Sequence, residues 1–354
     1  MRSMQLMISL GAVAATAGAC VSSLEGEPEP TVAVYSQAAG SCPTNTCGDG
    51  NSPVIDGVYF WRMHVGSMPG LQNPEGVQIV GVQKGGVPLR LQVEDGDRFQ
   101  AVTPLGGIVQ AEGPGLIDTR IRVTSRGKLY EIRIAAVQSD VFWVGSPPQQ
   151  LWAYDFRYRQ INDPLQRAER PLCSEGDGDP NKVTALVFAG DLYDPVTKEI
   201  EVGPSTDGWL NIACVDSAIY KMEKMGHTAA AVGKGGIPMT SVAQRRALLN
   251  MWTANVCGNG ESFTKPGVPI RFRDSLALLP STSPYYLGAF KPLDAAWRAS
   301  TEAIWSDTGA VCLTKHRLDQ PLEPYAVPCR DTLPVCDDLL GDPFAHGHVL
   351  TRVP

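Results

Sequence analysis

Nine cysteines punctuate the chain, and the first of them decides how the other eight are read. Cys20 stands behind Met1-Arg2-Ser3, an apolar run from Met4 to Ala15, and the small residues Thr16-Ala17-Gly18-Ala19. A short basic start, an apolar stretch of about a dozen residues and small side chains before a cut describe an export signal. The run is well under the roughly 18 to 20 residues that hold a helix in a bilayer. Residues 1–19 therefore read as a signal peptide. With Cys20 set aside, Cys42, Cys47, Cys173, Cys214, Cys257, Cys312, Cys329 and Cys336 remain. They are even in number, as disulfides in an oxidising compartment require.

Two peptidases fit the cut. Ala17-Gly18-Ala19 suits ordinary signal cleavage, which leaves a secreted chain with an odd thiol. Ala17-Gly18-Ala19-Cys20 also has the form of the bacterial lipobox, in which the Cys is diacylated before cleavage, although Leu is favoured where Ala17 stands. Cysteine parity favours lipidation of Cys20. Residues 20–52 hold Glu25-Gly26-Glu27-Pro28-Glu29-Pro30 and much Ser, Thr and Ala, too little apolar surface to fold, and read as a flexible tether.

Behind the tether about 335 residues suffice for one large or two modest domains. Their 36 Gly and 28 Pro favour turns and short strands over long helices. A net charge of -7 argues against nucleic acid as a partner. The expected fold class is α+β, an antiparallel β-rich part over 53–168 followed by a smaller disulfide-stapled α+β part over 169–320. Residues 321–354 read as an irregular, Cys-containing end.

Within the β-rich part, strands are expected at Val58–Val65, Val77–Val82, Leu89–Val93, Thr119–Val123, Leu129–Ile134 and Trp152–Tyr158. Apolar residues there alternate with Arg, Gln or Glu, as on half-buried strands. Ser125-Arg126-Gly127-Lys128 has the composition of a hairpin turn. Further strands are expected at Thr184–Phe188 and Trp209–Ala213. A helix over Asp216–Met225 would turn Ile219, Met222 and Met225 inward and stop at Gly226. A second over Val242–Trp252, with Ser241 as N-cap, would bury Leu248, Leu249 and Trp252.

The stretch from Ile212-Ala213-Cys214 to Asp274 resembles the ADYC domain, a family of exported bacterial proteins without an assigned activity. The family pattern has a Cys-headed helix, then a helix ending in Ala-Asp-Tyr-Cys-Gly-Asp-Gly, then a strand. Here the second element is Thr253-Ala254-Asn255-Val256-Cys257-Gly258-Asn259-Gly260, followed by Thr264-Lys265-Pro266-Gly267-Val268-Pro269-Ile270. Pro171-Leu172-Cys173 upstream and Glu302-Ala303-Ile304-Trp305 with Gly309-Ala310-Val311-Cys312-Leu313 downstream resemble further family elements. In order, they cover residues from about 115 to 320. The namesake Asp-Tyr pair is Asn255-Val256 here, so no role of that carboxylate or phenol carries over. Two further family cysteines correspond to Met222 and Leu248, implying a helix-to-helix disulfide replaced by an apolar contact. The resemblance then implies Cys214–Cys257 and Cys173–Cys312, with Cys329–Cys336 and Cys42–Cys47 as local pairs.

Motifs with chemical potential each have a plainer reading. Cys47-Gly48-Asp49-Gly50-Asn51-Ser52 and Cys257-Gly258-Asn259-Gly260-Glu261-Ser262 could hold a cation, but read better as disulfide-anchored turns. Glu175-Gly176-Asp177-Gly178-Asp179 lacks the distal Glu of a calcium loop. His346-Gly347-His348 offers too few ligands for zinc, and His64, His227 and His316 are scattered. Gly233-Lys234-Gly235-Gly236 and Lys84-Gly85-Gly86 lack phosphate-loop spacing, and no G-x-S-x-G occurs. Trp152, Tyr154 and Tyr158 could form a sugar platform, though core packing is the commoner fate. No metal or cofactor is expected. The leading expectation is a non-catalytic binding or scaffold lipoprotein of the outer membrane or cell surface, with a protein or glycan partner. The alternatives are a plainly secreted chain and an envelope hydrolase acting on glycan or peptide.

Overall fold

The computed structural model describes residues 53–353 apart from 106, 146, 148, 163–167, 174–183, 195, 265–267, 269, 279–294, 320–323 and 325. Cys20, Cys42, Cys47 and the Glu175–Asp179 loop lie outside the described residues. The chain enters through a small hairpin, β1 (Val54–Ile55) and β2 (Val58–Tyr59). Next come β3 (Arg62–His64), β4 (Val77–Lys84), β5 (Val87–Glu94), β6 (Arg98–Val102) and β7 (Val109–Glu112). They are followed by β8 (Arg120–Ser125), β9 (Lys128–Val141), β10 (Gln150–Gln160) and β11 (Arg170–Pro171). The strands β12 (Thr184–Phe188) and β15 (Trp209–Cys214) bracket a hairpin of β13 (Asp191–Tyr193) and β14 (Ile200–Val202). Then α1 (Ala218–Lys224), α2 (Val242–Thr253), β16 (Arg271–Asp274) and α3 (Ala295–Ser300) lead to β17 (Thr301–Ser306), β18 (Gly309–Leu313) and β19 (Val349–Arg352).

One antiparallel sheet runs β3-β15-β12-β10-β9-β8-β4-β5-β6-β7, with β11 also on β10. A second sheet has the order β16-β19-β17-β18. The expected turn between β8 and β9 forms: Ser125 pairs with Lys128, and Arg126 and Gly127 have φ of 49° and 75°. Two positive φ values match the right-handed strand twist of a tight hairpin. The run Val58–Val65 is broken in two, because β2 pairs locally with β1 while β3 joins the large sheet beside β15.

The pairing of β4 with β5 lasts for only Val82↔Leu89, Gln83↔Pro88 and Lys84↔Val87. Beyond that the β5–β7 strands fold over the sheet. Phe99 on β6 meets Tyr154 on β10 edge-to-face at 5.4 Å between ring centroids. The space between is the first hydrophobic core, with Ile79, Leu91, Ile121, Ile132 and Phe156 buried in it. The other face of the sheet carries a second core. Alternation along single strands serves both: Ala185, Val187 and Ile212 face the first, while Leu186, Phe188 and Ala213 face the second.

Both helices cover the second core. Ser217 caps α1 by accepting from the Tyr220 N–H at 3.2 Å, and Gly226 at φ 76° follows its end. Asp216, expected as its first residue, instead has φ 67° and precedes the cap. The expected Ser241 cap is reciprocal, because the Gln244 N–H bonds Ser241 Oγ and the Ser241 N–H bonds Gln244 Oε1. Ile219, Met222, Met225, Leu248 and Leu249 are all fully buried in this core. Trp252 is only half-buried, lying edge-on to Phe272 with the Lys221 ammonium 4.6 Å from its ring centroid.

Among the described residues three disulfides join Cys173 to Cys214, Cys257 to Cys329 and Cys312 to Cys336. This corrects the pairings Cys214–Cys257, Cys173–Cys312 and Cys329–Cys336. Strand alternation is the reason. Cys214 at the end of β15 points into the first core beside Cys173, whereas Cys257 follows α2 on the far side of the sheet and packs with Cys329 against the second core. Met222 and Leu248 share that second core, consistent with an apolar contact where a disulfide was implied. Cys312 and Cys336 lie in a third, small cluster with Ile304 and Leu350.

Candidate functional site

The clearest concentration of ionisable groups lies where α1, α2, the β13 strand and the β5–β6 turn meet. α1 turns Glu223 inward and β13 turns Asp191 inward, and neither has any solvent exposure. Asp191 is well satisfied. Its carboxylate accepts from Arg245 Nη2 at 3.1 Å, Tyr193 Oη at 3.2 Å and the Ala229 N–H at 3.1 Å. Burial still raises its pKa, opposed by the charge of Arg245. Glu223 accepts from the Thr228 hydroxyl through Oε2, while Oε1 has no hydrogen-bond partner among the described residues. Burial pushes its carboxyl up to about 8, with the negative charges of Asp97 and Asp191 adding to the effect. Lys234, from the glycine-rich Gly233–Gly236 stretch, pairs with Asp97 in the β5–β6 turn.

His227 is buried nearby, with Nε2 at 3.9 Å from Asp274 Oδ1, and burial lowers its pKa. The segment carrying these groups is seated on bare backbone. An added Cβ at Gly96 would meet Ala230 Cα at 2.7 Å, and one at Gly145 would meet Gly235 O at 3.2 Å. A raised carboxyl beside other carboxylates is the pattern of a general acid. Here, however, Glu223, Asp191 and His227 are shut into the core, beyond the reach of a substrate. The compensated pairs are Arg245 with Asp191, which ties α2 to β13, and Lys234 with Asp97, which ties the segment between the helices to the β5–β6 turn.

The sequence-flagged residues disperse. His64 is buried, accepts from the Leu71 N–H through Nδ1 at 3.1 Å and lies edge-on to Trp209. His316 is buried, its pKa lowered to about 4 by desolvation. In His346-Gly347-His348 the His348 N–H donates to Trp305 O at 2.8 Å, and an added Cβ at Gly347 would meet that oxygen at 2.6 Å. The motif is a strand joint. Gly258 and Gly260 take positive φ beside the Cys257–Cys329 bridge, as a disulfide-anchored turn should. Tyr154 and Tyr158 are core residues, and Trp152 is half-buried against Gly113. Lys84-Gly85-Gly86 is the β4–β5 turn. Among the described residues no three His, Cys, Asp or Glu side chains gather in metal-binding range, and no helix is long and apolar enough to cross a membrane.

One surface feature carried no motif. Met68, Gly81, Val82, Pro88, Leu89, Arg90 and Pro104 line an open notch where β4 and β5 part. Exposed Val87, Leu105, Ile108 and Val109 stand around the same end of the sheet.

No curated protein and no solved structure matches the chain. The family pattern of the ADYC domain matches residues 113–319, well over half of the 354 residues. That segment supplies β8–β10, β12, β15, both capped helices and β16–β18. The β3–β7 strands precede it, and β19, Cys329 and Cys336 follow it.

Proposed function

We propose that this chain, which belongs to the ADYC domain family, is a non-catalytic binding or scaffold protein of the cell envelope, tethered to a membrane through a lipid on Cys20. The three disulfides among the described residues are those of an extracytoplasmic protein. The observation that carries the non-catalytic reading is the fate of the titratable groups. Glu223 and Asp191 have no exposure, and His227 and His316 have 2% and 1%. Groups so enclosed stabilise a scaffold but touch no substrate. The tether reading draws on Ala17-Gly18-Ala19-Cys20 and on the bonding of every described cysteine, which leaves the parity of the remaining three to Cys20.

Mass analysis of the mature N-terminus tests the anchor: an acylated Cys20 is expected, and a mature chain with an unmodified Cys20 overturns it. Incubation of the purified protein with isolated envelope tests the role. Soluble glycan or peptide fragments released in proportion to protein would favour a hydrolase instead.

A further inference from the structure

We infer that the end of the large sheet where β4 and β5 part is a membrane-apposed face, whose apolar turn tips enter the outer layer of a lipid bilayer. The register places the tips together. Lys84 pairs with Val87, Arg90 with Val102 and Val102 with Val109, so the β4–β5 and β6–β7 turns project from the same end. Leu105 is 103% exposed, Ile108 63% and Val87 58%. Scattered apolar residues on a surface need no explanation, but Val87 and Leu105 adjoin Pro88 and Pro104, which line one apolar notch.

Cations lie at this end as well, where the exposed Asp118 before β8 is itself paired with Arg133. Arg90 lines the notch, exposed Arg122 lies opposite Gly81 of the notch in the β4–β8 register, and Lys84 ends β4. The carboxylates of the same layer, Glu94 and Glu112, both accept from Gln100 Nε2, farther along the strands from the tips. Apolar tips rimmed by cations suit the boundary between acyl chains and anionic headgroups. Leu105 stands as free as an isolated residue, and a fluid bilayer can envelop such a knob without a preformed pocket. The choice of lipid over protein rests on the tethered reading above.

The tether permits this orientation. The chain enters the body at the far end of the sheet, where Asp56 accepts from Tyr130 Oη at 2.9 Å and Lys128 Nζ at 3.2 Å. The segment between Cys20 and Pro53 can extend about 110 Å at full stretch. The longest strand, β9, spans only about 45 Å at the usual rise.

The test uses the full exported Cys20→Ala chain, which cannot be acylated there. It is sedimented with vesicles of phosphatidylethanolamine, with and without phosphatidylglycerol. Binding is expected with phosphatidylglycerol, weaker without it and weaker in high salt. Replacing Leu105→Glu and Ile108→Glu together should lower the bound fraction at least about tenfold. Val196→Glu, at a 74% exposed position on another turn, should not. No sedimentation with either vesicle, or binding by the double variant equal to its parent, overturns the inference. An unmodified native Cys20 would defeat the anchor alone, since the vesicle assay contains no acyl chain.

Discussion

Glu223 shows what a single side chain contributes when the fold surrounds it. Its carboxyl titrates near 8 in the folded chain against an ordinary 4.5, so the folded state holds a proton across that interval that the unfolded state releases. The stabilisation from the protonated form is complete below about 4.5 and is lost as pH rises through about 8. Glu223→Gln keeps the shape without the titration. In chemical unfolding from pH 5 to 8, the parent should lose stability relative to this variant. Parallel pH profiles would show that the proton is not held. Nothing around Glu223 in Tyr220-Lys221-Met222-Glu223-Lys224 marks it, since Asp97 in the β5–β6 turn and Asp191 on β13 act on it from distant parts of the chain. The histidines were visible as residue types, but their burial was not.

Elements were more legible, because their signals are local. Alternation predicted β4, β5, β8, β9 and β10, short apolar runs stood at β12 and β15, and Ser241 predicted the start of α2. The capping box satisfies two otherwise orphaned N–H groups at that start. Ser241→Ala should therefore cost about 1 kcal/mol of unfolding free energy, read from the shift in denaturant midpoint. A change below a few tenths would mean that neighbouring contacts already secure the helix start. The small sheet had no such signal. In β17 the residues Thr301–Trp305 are all buried, so the strand has no polar alternation to read, and β19 follows a run of short 3-10 turns. Trp305 is fixed from β19, its Nε1 donating to Thr351 Oγ1 at 2.8 Å.

For the whole molecule, the disulfides decide what is attached to what. Among the described residues, the Cys257–Cys329 and Cys312–Cys336 bridges leave the ADYC segment and bind it to the C-terminal residues, so β19 and its turns are stapled to the body. The Cys257–Cys329 bridge spans 72 residues, which in chain-entropy terms is worth about 4 kcal/mol. Replacing both cysteines with Ala should lower unfolding stability by roughly that amount, while peptide mapping still returns Cys173 linked to Cys214. Mapping that found Cys214 linked to Cys257 would contradict the separation of the two faces of β15.

The sequence by itself determined the family, the strand-rich class, the two helices with the Ser241 cap of the second, and the cysteine content of an extracytoplasmic protein. Each of these rests on neighbours along the chain or on residue type alone. Only the tertiary structure decided the cysteine partners, the enclosure of Glu223, Asp191 and His227, and the gathering of apolar turn tips at one end of the sheet. These depend on which face of a strand a residue occupies and on where β5 leaves β4. Both are set by contacts between segments tens of residues apart, and a linear pattern does not record them.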